Sequence, residues 1–239
     1  MGHKVHPKIH RIPFIFPWDS RWFGRGRQFP EFLKQEVQTR QYLMKKLREA
    51  GIDSMSIERT PKEFTITILA AKPGVIIGRS GQGLEELRKE IEKKILGFSL
   101  RVKLNIQAVT NPALSAAIVA QSAADEIERR LPFRRVMKQA IQKVMSAGAK
   151  GVKMKMGGRL NGAEIARTEK LADGKMSLIT IRSNVDYATA EAQTMYGKIG
   201  IKVWIYHGET FGRQDKFEQK QPTNNEQPKA APRQTGGRK

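Results

Sequence analysis

Two groups of residues in this chain have the types and spacing to hold phosphate. The first is Gly78-Arg79-Ser80-Gly81, set between the apolar run Val75-Ile76-Ile77 and a segment whose Leu84, Leu87 and Ile91 recur at helical spacing. A glycine turn that opens a helix leaves backbone N–H groups without intrahelical partners, and these face an anion favourably. Glycines, lacking Cβ, also let a nucleic-acid backbone come close. The second group is Arg129, Arg130, Arg134, Arg135 and Lys138, five cations within ten residues. A guanidinium pairs with phosphate through two N–H groups, and an ammonium acts as a point charge. At about 100° per residue, Phe133, Met137, Ala140, Ile141 and Val144 gather on one side of a helix, with Arg134, Arg135, Lys138 and Gln142 roughly opposite. An ordinary solvated face is the plain alternative. The scarcity of acids in this stretch, Glu126 and Glu128 lying upstream of it, favours nucleic acid.

The overall charge agrees. The 239 residues carry 44 Lys+Arg against 23 Asp+Glu, a formal +21. Such an excess opposes compaction and points to a polyanionic partner. No apolar run reaches the length of a spanning helix and the N-terminus has no apolar signal core, so no membrane partner is expected. With no cysteine, disulfides, thiolate metal sites and a cysteine nucleophile are excluded. His3, His6 and His10 lie close together, but no carboxylate or cysteine accompanies them, and a basic arm is the better reading than a metal site. No metal and no cofactor are expected.

Enzyme readings fail on spacing. No Gly-Lys-Ser/Thr follows the glycines, so the turn is not a P-loop, and Glu86 stands where a dinucleotide fingerprint needs glycine. His207-Gly208-Glu209 mimics the start of a zinc deaminase motif without its cysteine ligands. No catalytic residue and no enzyme activity are expected.

The elements that must position these groups can be read from periodicity. Residues 1–28 form an irregular basic arm in which Pro7, Pro13 and Pro17 forbid a continuous helix. Its Lys4, Lys8, Arg11, Arg21 and Trp22, among other cations and aromatics, suit RNA backbone contact and base stacking. The alternative is that the aromatics pack on the protein's own core. A helix is expected over 31–49 with Leu33, Val37, Met44 and Leu47 inward, then strands over 52–59 and 64–70, a short helix at 75–77, the glycine turn, a helix over 84–95 and a strand over 100–106. The order α-β-β-α-α-β with a GXXG turn between the middle helices matches a type II KH domain, placed at 29–108, whose loop clamps single-stranded nucleotides. A second α+β domain follows at 112–211. It has two helices on a four-stranded sheet, Leu114, Ile118, Ile127 and Leu131 of the first helix turned inward, and further strands near 152–156, 164–171, 177–185 and 199–206. The tail, 212–239, is polar and basic, with seven Lys+Arg against three acids over 213–239, and is expected to be disordered.

Met1-Gly2-His3-Lys4-Val5-His6-Pro7, Trp18-Asp19-Ser20-Arg21-Trp22, Ala71–Gly78 (AKPGVIIG), Phe133–Ile141 (FRRVMKQAI), Gly158–Arg167 (GRLNGAEIAR) and Gly200–Ile205 (GIKVWI) occur in one order along the chain. Together they resemble the bacterial-type family of the third small-subunit ribosomal protein, over about residues 1–210. The resemblance implies a cytoplasmic, ribosome-bound structural protein of the small-subunit head, not a homo-oligomer. It implies contacts with small-subunit rRNA, with mRNA, and with the tenth and fourteenth proteins of the series. It also implies that Arg134, Arg135 and Lys138 help line the channel through which mRNA enters and assist its unwinding. The family's GXXG loop commonly carries two lysines. Arg79-Ser80 supplies one cation, which implies a weaker phosphate contact. A free KH-type regulator or assembly factor is the alternative function.

Overall fold

The computed structural model describes residues 5–12, 14–97 and 100–212. Lys4, Pro13 and the tail at 213–239 lie outside them. The N-terminal arm is more ordered than its prolines predict. It contains a short helix, α1 (Pro7–Arg11), and a two-residue strand, β1 (Ser20–Arg21). His6 caps α1: its Nδ1 accepts the N–H groups of Lys8 and Ile9, and Pro7 occupies the first turn, where its missing N–H costs nothing.

Helix α2 (Gln28–Lys46) continues into a 3-10 turn, Arg48–Ala50, which Gly51 ends in the left-handed conformation. Strands β2 (Ile52–Arg59) and β3 (Glu63–Ala70) pair antiparallel. Helices α3 (Pro73–Ile77) and α4 (Gln82–Lys94) then carry the chain across to β4 (Arg101–Ala108), which runs parallel to β3 from Glu63↔Arg101 to Ala70↔Ala108. A parallel pair needs such a crossover, and here the crossover holds the GXXG turn. The sheet order is β1-β2-β3-β4, with β1 parallel to β2. Alternation along β3 turns Phe64, Ile66, Ile68 and Ala70 into a core with Leu43, Ile57, Ile76, Leu87, Ile91 and Val102. Each of the large side chains contributes about 1.5–3 kcal/mol by leaving water.

One expected face is wrong. Leu47 is buried as expected, but Leu33, Val37 and Met44 are exposed, and α2 instead buries Glu36, Thr39 and Leu43, about a quarter turn away. The two polar residues are satisfied in place. Thr39 Oγ1 donates to the Gln35 carbonyl, and Glu36 accepts from Ser20, Trp22 and Arg40. Amphipathic periodicity counts such residues as outward, and buried hydrogen bonds reverse the assignment.

The second unit holds α5 (Ala116–Glu128), α6 (Phe133–Ser146), β5 (Gly151–Gly158), β6 (Arg167–Gly174), β7 (Ser183–Thr194) and β8 (Gly197–Glu209). The strands form an antiparallel sheet in the order β6-β5-β8-β7. Val152, Met154 and Met156 of β5 and Ile201, Val203 and Ile205 of β8 share one core with Phe133, Val136, Met137, Ile141 and Val144 of α6. The inward face of α5 is mostly alanine, with Ala116, Ala120, Ala123 and Ala124 beside Ile127, whereas Leu131 lies outside at 36% exposure. Small side chains let α5 lie close to β7 and β8, a preference that a search for large apolar residues overlooks. The strand expected at 177–185 begins only at Ser183. The preceding carbonyls of Leu178 and Thr180 accept from Arg11 instead of a neighbouring strand, and Ile179 is 91% exposed.

Three sets of polar and strand contacts among the described residues join the units. Arg48 bridges Asp125 and Glu128, each at 2.7 Å. Ser115, the N-cap of α5, donates its hydroxyl to Asp53 of β2, while within the second unit Asp186 of β7 accepts the neighbouring Ala116 N–H at 2.8 Å. The arm provides the third: β1 is seated on β2, and Arg11 is anchored at 177–180.

Candidate nucleic-acid interface

Helix α6 begins after Pro132, whose extended ψ breaks it from α5. Its apolar side is buried and Arg134, Arg135 and Lys138 are exposed, as the sequence predicts. Arg129 and Arg130, at the end of α5, are exposed beside them. Arg130 adopts φ +65, so a long, charged residue occupies a left-handed position that normally selects glycine. Its guanidinium also reaches the Met195 sulfur at 3.3 Å.

The group is not uniformly free of acid. Glu169, on the edge strand β6, pairs with Arg134 at 3.3 Å and with Arg167 at 3.1 Å. Both guanidiniums lie 5.7 Å from the centre of the Phe133 ring. Glu169 and Arg167 were beyond the reach of sequence reasoning, because a partner 35 residues away on another element leaves no spacing signal. Arg129, Arg135 and Lys138 have no side-chain partner among the described residues. They are the positions where an incoming phosphate meets no competing carboxylate.

In the GXXG turn, Arg79–Gly81 forms one 3-10 turn between α3 and α4. Gly78 lies at φ +70, ψ −171, a region open essentially to glycine alone, and Gly81 lies at φ +80. Ser80 is also left-handed, at φ +53. The loop projects Arg79 and Ser80 into solvent, next to exposed Val75 and Ile77. The result is a backbone donor turn with one cation and an apolar flank, suited to a sugar-phosphate run whose bases lie on the flank.

The arm residues fall largely to structure. Arg11 is a correction: it is fully buried, and its guanidinium donates to the carbonyls of Pro7, Leu178 and Thr180 at 2.9–3.0 Å and of Ser177 at 3.5 Å, so it presents nothing to RNA. Burial lowers its pKa. Lys8 pairs with Asp19 at 2.6 Å, and Arg21 with Glu58 at 3.4 Å. Trp22 donates to Glu36 and packs against Phe29 and Phe32, with ring centres at 5.3 and 6.0 Å. Burial lowers the pKa of His6, aided by the nearby Lys8, and the ring meets Tyr187 edge-on. Among the described residues no cluster of His, Asp and Glu has the geometry to hold a metal ion. His207 lines a shallow cleft of about 400 Å³ with Asp53 and Asp186, at the junction of the two units. No described helix is long and apolar enough to cross a membrane.

Two family models match the chain: a KH domain over residues 38–114, and the C-terminal domain of ribosomal protein S3 over residues 123–205. The small ribosomal subunit protein uS3 of Chromobacterium violaceum is 46% identical over 209 residues, covering 87% of this chain and 88% of that one. The proteins of the same name from Paraburkholderia phymatum and Paraburkholderia phytofirmans are each 42% identical over 234 residues, covering 95% of this chain and 88% and 86% of theirs. The parallel β3–β4 crossover that carries the GXXG turn, the α5–α6 layer on its antiparallel sheet, and an identity of 42–46% across most of the chain all lead to one assignment: the protein belongs to the small ribosomal subunit protein uS3 family.

Proposed function

We propose that, within the small subunit, this protein uses the outward face of α6 to hold mRNA as it enters the ribosome, in the cytoplasm, while its KH unit binds rRNA. The observation that carries this reading is the array of Arg129, Arg135 and Lys138, exposed and without acid partners among the described residues. Arg135 and Lys138 are three residues apart and so neighbours on the helix surface, close enough to engage consecutive phosphates of one strand. Arg134 is braced by Glu169 through Nε and Nη2 and keeps its remaining N–H groups exposed to a phosphate, at a charge partly offset by that carboxylate. The mechanism is binding without a covalent step. Strands are held apart by cations while the ribosome supplies the movement.

The GXXG turn acts as the rRNA clamp through its backbone donors and Arg79. Phe29, Leu33, Val37 and Met44 lie 43–54% exposed along α2. This apolar stripe supports packing by neighbouring head proteins, the tenth and fourteenth of the series.

The test is translation by reconstituted ribosomes carrying Arg134→Ala, Arg135→Ala and Lys138→Ala together. The expected outcome is slowed passage through an mRNA hairpin with unstructured mRNA read at the parent rate. The salt dependence of mRNA binding should also fall by about 0.7 for each phosphate that the variant leaves unneutralised. Equal passage through hairpins by parent and variant removes the assignment.

A further inference from the structure

We propose that the solvent face of the second sheet, centred on Lys155, Lys170 and Lys202, is a separate binding site for the phosphate backbone of RNA. This inference rests on the reading of the protein as an RNA binder but not on α6.

The register places the three lysines directly opposite one another across adjacent strands, Lys170↔Lys155 on β6 and β5, and Lys155↔Lys202 on β5 and β8. All three are exposed, on the face turned away from α5 and α6. Strands lie about 4.7–4.9 Å apart, so the row sets three positive charges abreast over about 10 Å. Like charges placed opposite each other destabilise a sheet. The usual remedy is an acid in the row, and none is there: the fourth position is Thr189, opposite Lys202. The nearest acids along these strands are occupied elsewhere. Glu191 pairs with Lys198 at 2.9 Å, and Glu169 serves Arg134 and Arg167 on the helix side. Lys155, Lys170 and Lys202 have no side-chain partner among the described residues.

The flanks of the row fit a nucleic-acid strand. On one side Gly157 and Gly200 face each other, the Thr168 side chain lying against Gly157 and the backbone open at Gly200, so only small groups flank the lysines. On the other side, Lys153 stands 5.6 Å over the half-buried Trp204 ring, Trp204 leans on Tyr187 at 5.2 Å, and His6 of α1 meets Tyr187 edge-on, so the arm bounds the row there and leaves Trp204 as its aromatic neighbour. Aromatic faces next to cations are the elements that bind single-stranded nucleic acid without reading sequence. The site lies on the opposite face of the sheet from α6. Lys170 follows Glu169 in sequence and points the other way, so one RNA strand rounding the β6 edge meets both surfaces.

The full chain carrying Lys155→Gln, Lys170→Gln and Lys202→Gln is titrated with an unstructured single-stranded RNA and with a hairpin, over a range of salt. Removing three phosphate-neutralising charges should weaken binding and reduce the salt slope by about 2. If slope and affinity match the parent while the Arg134, Arg135 and Lys138 alanine variant weakens, the sheet site is overturned and the α6 reading stands. If only the lysine variant weakens, the sheet site stands and the α6 reading falls. Amine-reactive labelling of the lysines in intact small subunits then identifies the RNA. Protection without mRNA indicates rRNA, and protection only on mRNA loading indicates mRNA. Labelling equal to that of the free chain overturns the proposal, as does protection in subunits with an unchanged salt slope, which marks an acidic protein as the occupant.

Discussion

Replacing Arg11 with alanine should release the N-terminal arm without unfolding either unit. The side chain is wholly buried and donates three hydrogen bonds of 2.9–3.0 Å to the carbonyls of Pro7, Leu178 and Thr180. Hydrogen bonds from a charged group contribute about 1.5–3 kcal/mol each, and desolvation of the guanidinium, whose Nε has no partner, offsets several kcal/mol. Truncation also takes this donor from the Pro7 and Leu178 carbonyls, whereas Thr180 keeps the Ser183 N–H at 3.2 Å. Lost charge-assisted bonds and an orphaned neutral acceptor, net of the desolvation no longer required, come to about 3–4 kcal/mol. At 1.4 kcal/mol per decade, the open arm becomes about 10²–10³ times more populated. Hydrogen exchange read by mass spectrometry should then accelerate by that factor in peptides covering 14–23 and 177–182, and at the Ile57 amide, which donates to the Asp19 carbonyl at 2.9 Å. Amides in α6 and β8 should keep their protection. Arg11→Lys, which keeps the charge and loses the planar fork, should fall between. Exchange in 14–23 within a few-fold of the parent, or equal acceleration everywhere, would refute the reasoning.

Acid should loosen the same arm by another route. Burial pushes the Glu36 carboxyl up, but hydrogen bonds from Ser20, Trp22 and Arg40, with the Arg40 charge, outweigh it and hold its pKa below the ordinary carboxylate value. A lowered folded pKa gives stability that is present above the unfolded value, about 4.3, and is lost as pH falls through the folded one. Exchange at the β1–β2 junction should therefore rise below about pH 4, and Glu36→Gln should abolish that rise; an unchanged acid profile in the variant would count against it. Arg130→Gly should raise thermal stability by about 0.5–1 kcal/mol, since relief of about 1–2 kcal/mol of left-handed strain exceeds the added chain entropy. The same change should weaken RNA binding, and a lower melting temperature or unaltered affinity would contradict it.

Much of the KH unit was legible because alternation along β3 and helical spacing along α4 are strong signals, and the GXXG turn fixed which elements flank it. The outward face of α6 was legible for the same reason, with cations on one side and large apolar residues on the other. What sequence could not give was pairing at a distance. Glu169 reaches Arg134 from another element, and Glu36 and Thr39 are buried because their hydrogen bonds are met within the fold. Arg11 looked like a phosphate contact because a lone arginine in a basic arm carries no mark of the carbonyls that enclose it. The lysine row was invisible for a related reason. Lys155, Lys170 and Lys202 are scattered along the chain and become neighbours only through strand register.

The arm also has a history in time. Arg11 leaves the exit tunnel well before Thr180, 169 residues later in the chain, and must wait for it before its socket exists. At about 5–20 residues per second, that delay is on the order of ten seconds or more. Throughout it the arginine remains hydrated, and Ile15 and Phe16, buried in the finished protein, have no complete seat. A nascent chain of this protein therefore displays a basic, aromatic segment that chaperones or RNA can capture until residues 177–180 emerge to close it.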